Sequence, residues 1–276
     1  MRFDRSSASL ILSIVLLGAV GSFVGVERAI GQTQSIDVRK VEADRLLQQG
    51  IQQFNISQFE AALQSWQQSL KLYREIKDRS GEGKSLGNLG LIYDSRGNYP
   101  KAIEFQEQRL AIARELKDRL GEGQSLNNLG NEYHSLGNYS KAIEFQEISL
   151  AIAREIKDRL GEGNALGNLG LAYHSRGNYP KAIDFHEQRL AIAREIKDRH
   201  GEGQSLGNLG IVYQALGNYL KAIEFLEQRL AIAHEIKNRY GEGNALGNLG
   251  VAYQALGNYP KAIDFHEQHL AIAREI

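Results

Sequence analysis

No cysteine occurs among the 276 residues. That excludes disulfides, thiolate zinc sites and thiol nucleophiles, and it leaves the compartment open, because a chain without thiols tolerates oxidising and reducing surroundings alike. Excess charge is absent as well. Lys+Arg 33 balance Asp+Glu 33, a formal net charge of zero, so no global field draws the chain onto nucleic acid or an anionic membrane. Nucleic acid is therefore not an expected partner. Proline is confined to Pro100, Pro180 and Pro260, each at the same place in a repeated phrase.

Residues 1–31 differ in kind from the rest. Arg2 and Arg5 precede an apolar run over 10–26, and Ala29-Ile30-Gly31 offers small residues for cleavage. This is the layout of a secretory signal peptide, with an uncleaved membrane anchor as the alternative. The expected location is export, periplasmic or extracellular, or tethering to a membrane through that run. A membrane contact is expected only through an uncleaved leader. Residues 32–40 read as a linker.

From residue 41 the chain repeats itself. Gly-Glu-Gly recurs at Gly81, Gly121, Gly161, Gly201 and Gly241, a fixed period of 40 residues, which marks a stacked-repeat architecture with no single central core. The copies are 81–120, 121–160, 161–200, 201–240 and an incomplete 241–276, preceded by a worn copy at 41–80. The worn copy reads as an N-terminal cap, since a terminal repeat meets water on one face.

Each copy encodes two helices. Leu86, Leu89 and Tyr93 share one face of the first, Gly97 ends it, and Asp118, Asp158 and Asp198 suit the N-cap of the following copy's first helix. The second begins near Tyr99, admits proline in its first turn and runs to about Lys117. Its apolar arc, Tyr99, Ala102, Ile103, Phe105, Leu110, Ile112, Ala113 and Leu116, is wider than an ordinary surface helix needs and predicts burial against two neighbours. Gly87 and Gly90 inside the first helix each cost about 1 kcal/mol of propensity against alanine, which predicts close approach of another helix. The fold class is all-α, a superhelical solenoid of antiparallel helical hairpins.

Asn-Leu-Gly-x-x-Tyr, then Gly-Asn-Tyr-x-Lys-Ala-Ile, then the leucine late in the second helix, resembles the tetratricopeptide repeat over 41–276. The period and the phrases Glu-Gln-Arg-Leu-Ala-Ile-Ala-Arg-Glu at 107–115 and Lys-Asp-Arg-x-Gly-Glu-Gly are similar to the long-repeat branch of kinesin light chain and the Pins-type adaptors. The family usually carries a small residue where this chain has Arg109, Ser149, Arg189, Arg229 and His269. The resemblance implies a non-enzymatic scaffold that binds a peptide segment of a partner in a concave groove lined by the first helices. A different class, the sensor arm of a larger effector such as a CHAT-type protease, is the alternative.

Motifs that could carry chemistry are weak. Gly81-Glu82-Gly83-Lys84-Ser85 ends like a phosphate loop but has Asp78 where glycine is required. His266 and His269 sit one turn apart with no third ligand in view. No cofactor, metal or catalytic residue is expected.

The copies act as internal controls on one another. Asn88, Asn128, Asn168, Asn208 and Asn248 are constant, followed by Leu91, Asn131, Leu171, Ile211 and Val251. The resemblance implies that these face a bound extended peptide. An asparagine amide both donates to and accepts from a peptide backbone, and the same amides could equally tie neighbouring hairpins together. Arg109, Arg189 and Arg229 fall within the apolar arc. Each either snorkels or pairs with a carboxylate of the Glu82 or Glu107 type, or lines the groove and holds acidic side chains of a partner. Self-association through the last hairpin is a further, weak expectation.

Overall fold

The computed structural model describes residues 36–276, and every regular element among them is a helix. The leader and the first residues read as linker lie outside the described residues. The linker reading fails from residue 36 onward, where α1 (36–55) is already helical. Then come α2 (Phe59–Glu75), α3 (Arg79–Ser95), α4 (Tyr99–Glu115), α5 (Arg119–Ser135), α6 (Tyr139–Glu155), α7 (Arg159–Ser175), α8 (Tyr179–Glu195), α9 (Arg199–Ala215), α10 (Tyr219–Glu235), α11 (Arg239–Ala255) and α12 (Tyr259–Glu275). Odd-numbered helices open a repeat and even-numbered helices close it. Among the described residues two compact units divide the chain, residues 36–89 and 90–276.

In the first unit α1 and α2 close around Trp66, whose indole N–H donates to the Leu47 carbonyl at 3.2 Å. Gly50 is required there, because a Cβ would stand 2.5 Å from Trp66 Cδ1. Where later copies bury Ser125 and Leu129, α1 carries Arg45 and Gln49, joined at 2.8 Å, and Arg45 also grips Glu42 at 2.7 Å. That face of α1 is thus polar where the later copies are buried.

The second unit repeats one hairpin. Turns after the odd helices place a glycine in the left-handed region, Gly177 at φ 73°, and an asparagine then caps the next helix, as Asn178 accepts from the Lys181 amide at 3.3 Å. After the even helices Asp158 accepts from the Gly161 amide at 2.9 Å. In those turns the left-handed residue is a lysine: Lys117, Lys157, Lys197 and Lys237 at φ 55–59°. A Cβ is disfavoured in that conformation, so Lys157→Gly is expected to stabilise the chain by about 0.5–1 kcal/mol, read as a rise in urea midpoint. Each hairpin is further closed by a stack. Tyr173 lies on Phe185 at 5.4 Å, and Lys181 Nζ sits 4.7 Å from the centre of the Tyr173 ring; the same trio recurs in every copy of this unit.

Leu166 and Leu169, with counterparts Leu126, Leu129, Leu206 and Leu209, form the buried core between hairpins. On the second helices Ala182, Leu190, Ile192 and Ala193 are buried, whereas Leu116, placed in the apolar arc by the helical wheel, is exposed. The glycines of the first helices make room for a single side chain of their own partner helix. A Cβ on Gly170 would meet His186 Cε1 at 2.5 Å, and one on Gly167 would meet Arg189 Cδ at 2.8 Å. Gly130 faces Gln146 and Gly210 faces Leu226 in the same manner.

The Gly-Glu-Gly phrase lies inside a helix, so it forms no phosphate loop. Its glutamate is a structural bolt. Glu162 is buried and takes Arg154 from the preceding helix at 2.8 Å and Arg159 from its own at 2.5 Å. Arg159 then reaches Glu195 at the end of the next helix. Glu122 with Arg114, Arg119 and Glu155, and Glu202 with Arg194, Arg199 and Glu235, repeat the arrangement. Burial alone would raise the Glu122 carboxyl, but Arg114 and Arg119 hold it below the usual range. The arginines are about half exposed, which screens the pairs, so Glu162→Ala is expected to cost about 1–2 kcal/mol. Chemical denaturation at neutral pH measures it.

Candidate functional groove

Helices α5, α7, α9 and α11 touch one another in a row, in addition to packing against the even helices on either side. The side on which the odd helices come closest together is the inner side of this unit, and its side chains form the candidate site.

Several cavities open along the row, two of which bring together arginines and asparagines of the expected set. The larger, about 440 Å³, is lined by Asn131, Asn168, Leu171, Arg189, Asn208 and Arg229, together with Asn127, Asn164 and Gln204. The other, about 340 Å³, takes in Leu91, Arg109 and Asn128. Ile211, Asn248 and Val251 line neither cavity, and Asn88 belongs to the first unit. Leu91, Leu171 and Val251 expose 42%, 39% and 48% of their surface, Asn131 is exposed and Ile211 half-buried.

The five asparagines are all half-buried, yet they are not equivalent. Asn168 Nδ2 donates to Asn127 Oδ1 at 3.0 Å, linking α7 to α5, and Asn248 Nδ2 donates to the Asn244 carbonyl at 2.9 Å within its own helix. Two of the amides thus serve the scaffold. Among the described residues the side chains of Asn128 and Asn208 have no hydrogen-bond partner, which leaves both free toward the row.

The arginines are not paired with the glutamates that the sequence offered. Arg109 donates to Gln124 Oε1 at 2.5 Å and Arg189 donates to Gln204 Oε1. The Glu82-type carboxylates are already occupied by Arg114 and Arg119 and their counterparts. Among the described residues no carboxylate lies within ion-pair distance of Arg109, Arg189 or Arg229. Burial pulls each guanidinium below its ordinary value, opposed by the field of Asp118 at Arg109 and of Asp198 at Arg189. At Arg229 burial acts in the same direction and Tyr240 opposes it. A partly desolvated cation held by a neutral amide is poised for an anion.

Gln124, Asn164 and Gln204 lie one turn before the constant asparagines, on the first-helix stripe that the sequence sets apart from the Leu86–Leu89–Tyr93 face, and Asn127 is the site residue that sequence reasoning missed. Asn127 is visible in the sequence only as a departure from the glycine of the other copies. His266 and His269 do not converge with other ligands: His269 Nδ1 lies 2.6 Å from the Gly243 carbonyl, and His266 lies over Gly250.

A sequence profile described as tetratricopeptide repeat matches residues 43–115, 117–195 and 201–275. The chain belongs to the tetratricopeptide repeat family. None of the curated proteins matches it. Among solved structures it is similar to BtubC (BKLC) of P. vanneervenii, at 18% identity over 87% of this chain and 91% of that one, TM-score 0.66. It is also similar to a kinesin light chain-type protein of Podosopora anserina with nearly identical TPR-like repeats, at 26% identity over 70% and 95%, TM-score 0.58. A Rap protein complexed with competence and sporulation factor matches at 16% identity over 85% and 75%, TM-score 0.65. The tetratricopeptide solenoid is thereby shown, of the kinesin light chain type that the sequence resembles, and with it a protein-interaction scaffold. The sensor-arm alternative is not favoured by these likenesses. Among the described tetratricopeptide helices none is long and apolar enough to cross a membrane.

Proposed function

We propose that the chain binds an extended, acidic peptide segment of another protein along the row of odd helices. The supporting observation is the larger cavity, where Arg189 and Arg229 stand among six amide side chains and, among the described residues, no carboxylate neutralises them. Amides serve the backbone of an extended segment, and the guanidinium groups serve its acidic side chains. The Rap likeness, a fold of this kind complexed with a factor, supports the same reading. Catalysis is not part of it.

Selection of a random display library of short peptides on the intact chain tests this. Bound peptides are expected to be rich in Asp and Glu, and Arg189→Ala with Arg229→Ala is expected to weaken them about tenfold or more, with little change in Tm. Selected peptides without acidic residues, or affinities untouched by the pair of substitutions, would overturn the reading. Asn208→Ala is expected to lower affinity further, by about 0.5–1.5 kcal/mol.

A further inference from the structure

The copies differ at one place in a way that changes the shape of the inner face. Arg189 lies across Gly167 and Arg229 across Gly207. In the copy 121–160 both members are exchanged together, arginine for Ser149 and glycine for Asn127. Ser149 turns inward and donates to the Gly123 carbonyl at 3.0 Å, while Asn127 is held by Asn168. The space filled by an arginine elsewhere is left open.

The consequence can be measured within the molecule. The cavity at Ser149 is about 340 Å³, with Leu120, Ile152, Ile156 and Leu160 among its walls. The corresponding cavity two copies later, around Arg229, Ile232, Ile236 and Tyr240, is about 100 Å³. The larger value falls in the range of side-chain and small-ligand sites. Leu120 and Leu160 are about half exposed, and the same position is Ser80, His200 and Tyr240 in other copies, so this apolar lining belongs to one place in the row. Arg109 is part of the lining, and among the described residues its side chain is paired with Gln124 alone.

We infer that the Ser149 cavity is the specificity pocket of the groove, seating one large apolar side chain of the bound segment, of leucine to phenylalanine size, while Arg109 pairs with a neighbouring carboxylate of the same segment. Apolar walls favour a side chain that loses water on entry, and the cation in the lining fixes register by charge complementarity. This rests on the groove reading and adds to it the position at which the partner is anchored.

The test uses peptides from the same display selection and three variants of the intact chain. Ser149→Arg with Asn127→Gly rebuilds the pair found at Arg189 and Gly167, so the scaffold already accommodates it. It is expected to fill the cavity and weaken selected peptides about tenfold or more. Arg109→Gln is expected to weaken those peptides and reduce their salt dependence. Arg229→Ser leaves the Ser149 cavity intact and is expected to retain the dependence on the apolar residue. Alanine in place of the peptide's large apolar residue should cost wild-type binding as much as the filled cavity does, and cost the filled variant almost nothing further. Peptides lacking any large apolar residue, or bound equally by the filled variant, overturn the pocket while leaving the acidic groove standing. Failure to select any peptide overturns both. Selection of acidic peptides that respond to Arg189→Ala and Arg229→Ala alone separates the two.

Discussion

Glu132→Val is expected to raise stability at neutral pH by about 3 kcal/mol and to flatten the pH profile between about pH 4.5 and 8. Glu132 sits where the other copies have Ile92, Ala172, Val212 and Ala252. It is 2% exposed, and its Oε2 has no hydrogen-bond partner among the described residues. Burial, and then the field of Asp94, push its carboxyl up to about 8; Asp94 is itself raised by burial. The folded state therefore keeps a proton that the unfolded chain releases near pH 4.5. Stability is full below that value and falls as pH rises toward 8, so at pH 7 most of the loss has been incurred. Valine, the residue at position 212, removes the titration and fills the site with apolar atoms. In a repeat protein stability spreads by nearest neighbours, so amide hydrogen exchange of α5 and its flanking helices should slow together with the rise in Tm. The reciprocal change, Val212→Glu, should install the same alkaline-side loss in α9. A wild-type Tm that is flat from pH 5 to about 8, or a Glu132→Val variant no more stable than wild type at pH 7, would contradict the assignment.

The local features of the fold were open to sequence reasoning and the long-range ones were not. Gly97, Asn98 and Asp118 act within a few residues of themselves, so their types announce the turn and the caps. The helical wheel likewise places Arg109 within the apolar arc of its helix, but a wheel gives a face and no partner. Glu107 and Glu82 were the candidates by charge, whereas the Glu82 class is claimed from residues eight positions before and three positions before, and Arg109 is left to Gln124. The Ser149 and Asn127 exchange was visible as two departures in one copy. That they are one event depends on residue 127 lying beneath residue 149, which only the packed hairpin reveals. The asparagine row shows the limit of a constant position: Asn168 and Asn248 serve the scaffold and Asn208 does not, though all three occupy the same place in the phrase.

His186→Leu is expected to remove an acid-side loss of about 3 kcal/mol that the wild-type chain suffers between pH 6.5 and about pH 4. His186 is fully buried in α8 over Gly170, and neither ring nitrogen has a hydrogen-bond partner among the described residues. Burial, reinforced by Arg189 and His174, brings its pKa down to about 3. The unfolded chain takes up a proton near pH 6.5 and the folded one refuses it, so stability is whole above 6.5 and drains away as pH falls toward 3. The next copy shows what the site accepts: Leu226 packs over Gly210 and is equally buried. Leucine at 186 therefore fits the same hollow and spares two unmatched ring nitrogens, which adds about 1–3 kcal/mol at neutral pH as well. Urea denaturation at pH 7 and at about pH 4.5 should show the gap between variant and wild type widening on acidification. Leu226→His should transplant the acid sensitivity to α10. Parallel curves for variant and wild type across that range would mean that the ring is hydrated and titrates in the folded chain, and would remove His186 as the acid-labile point of the repeat array.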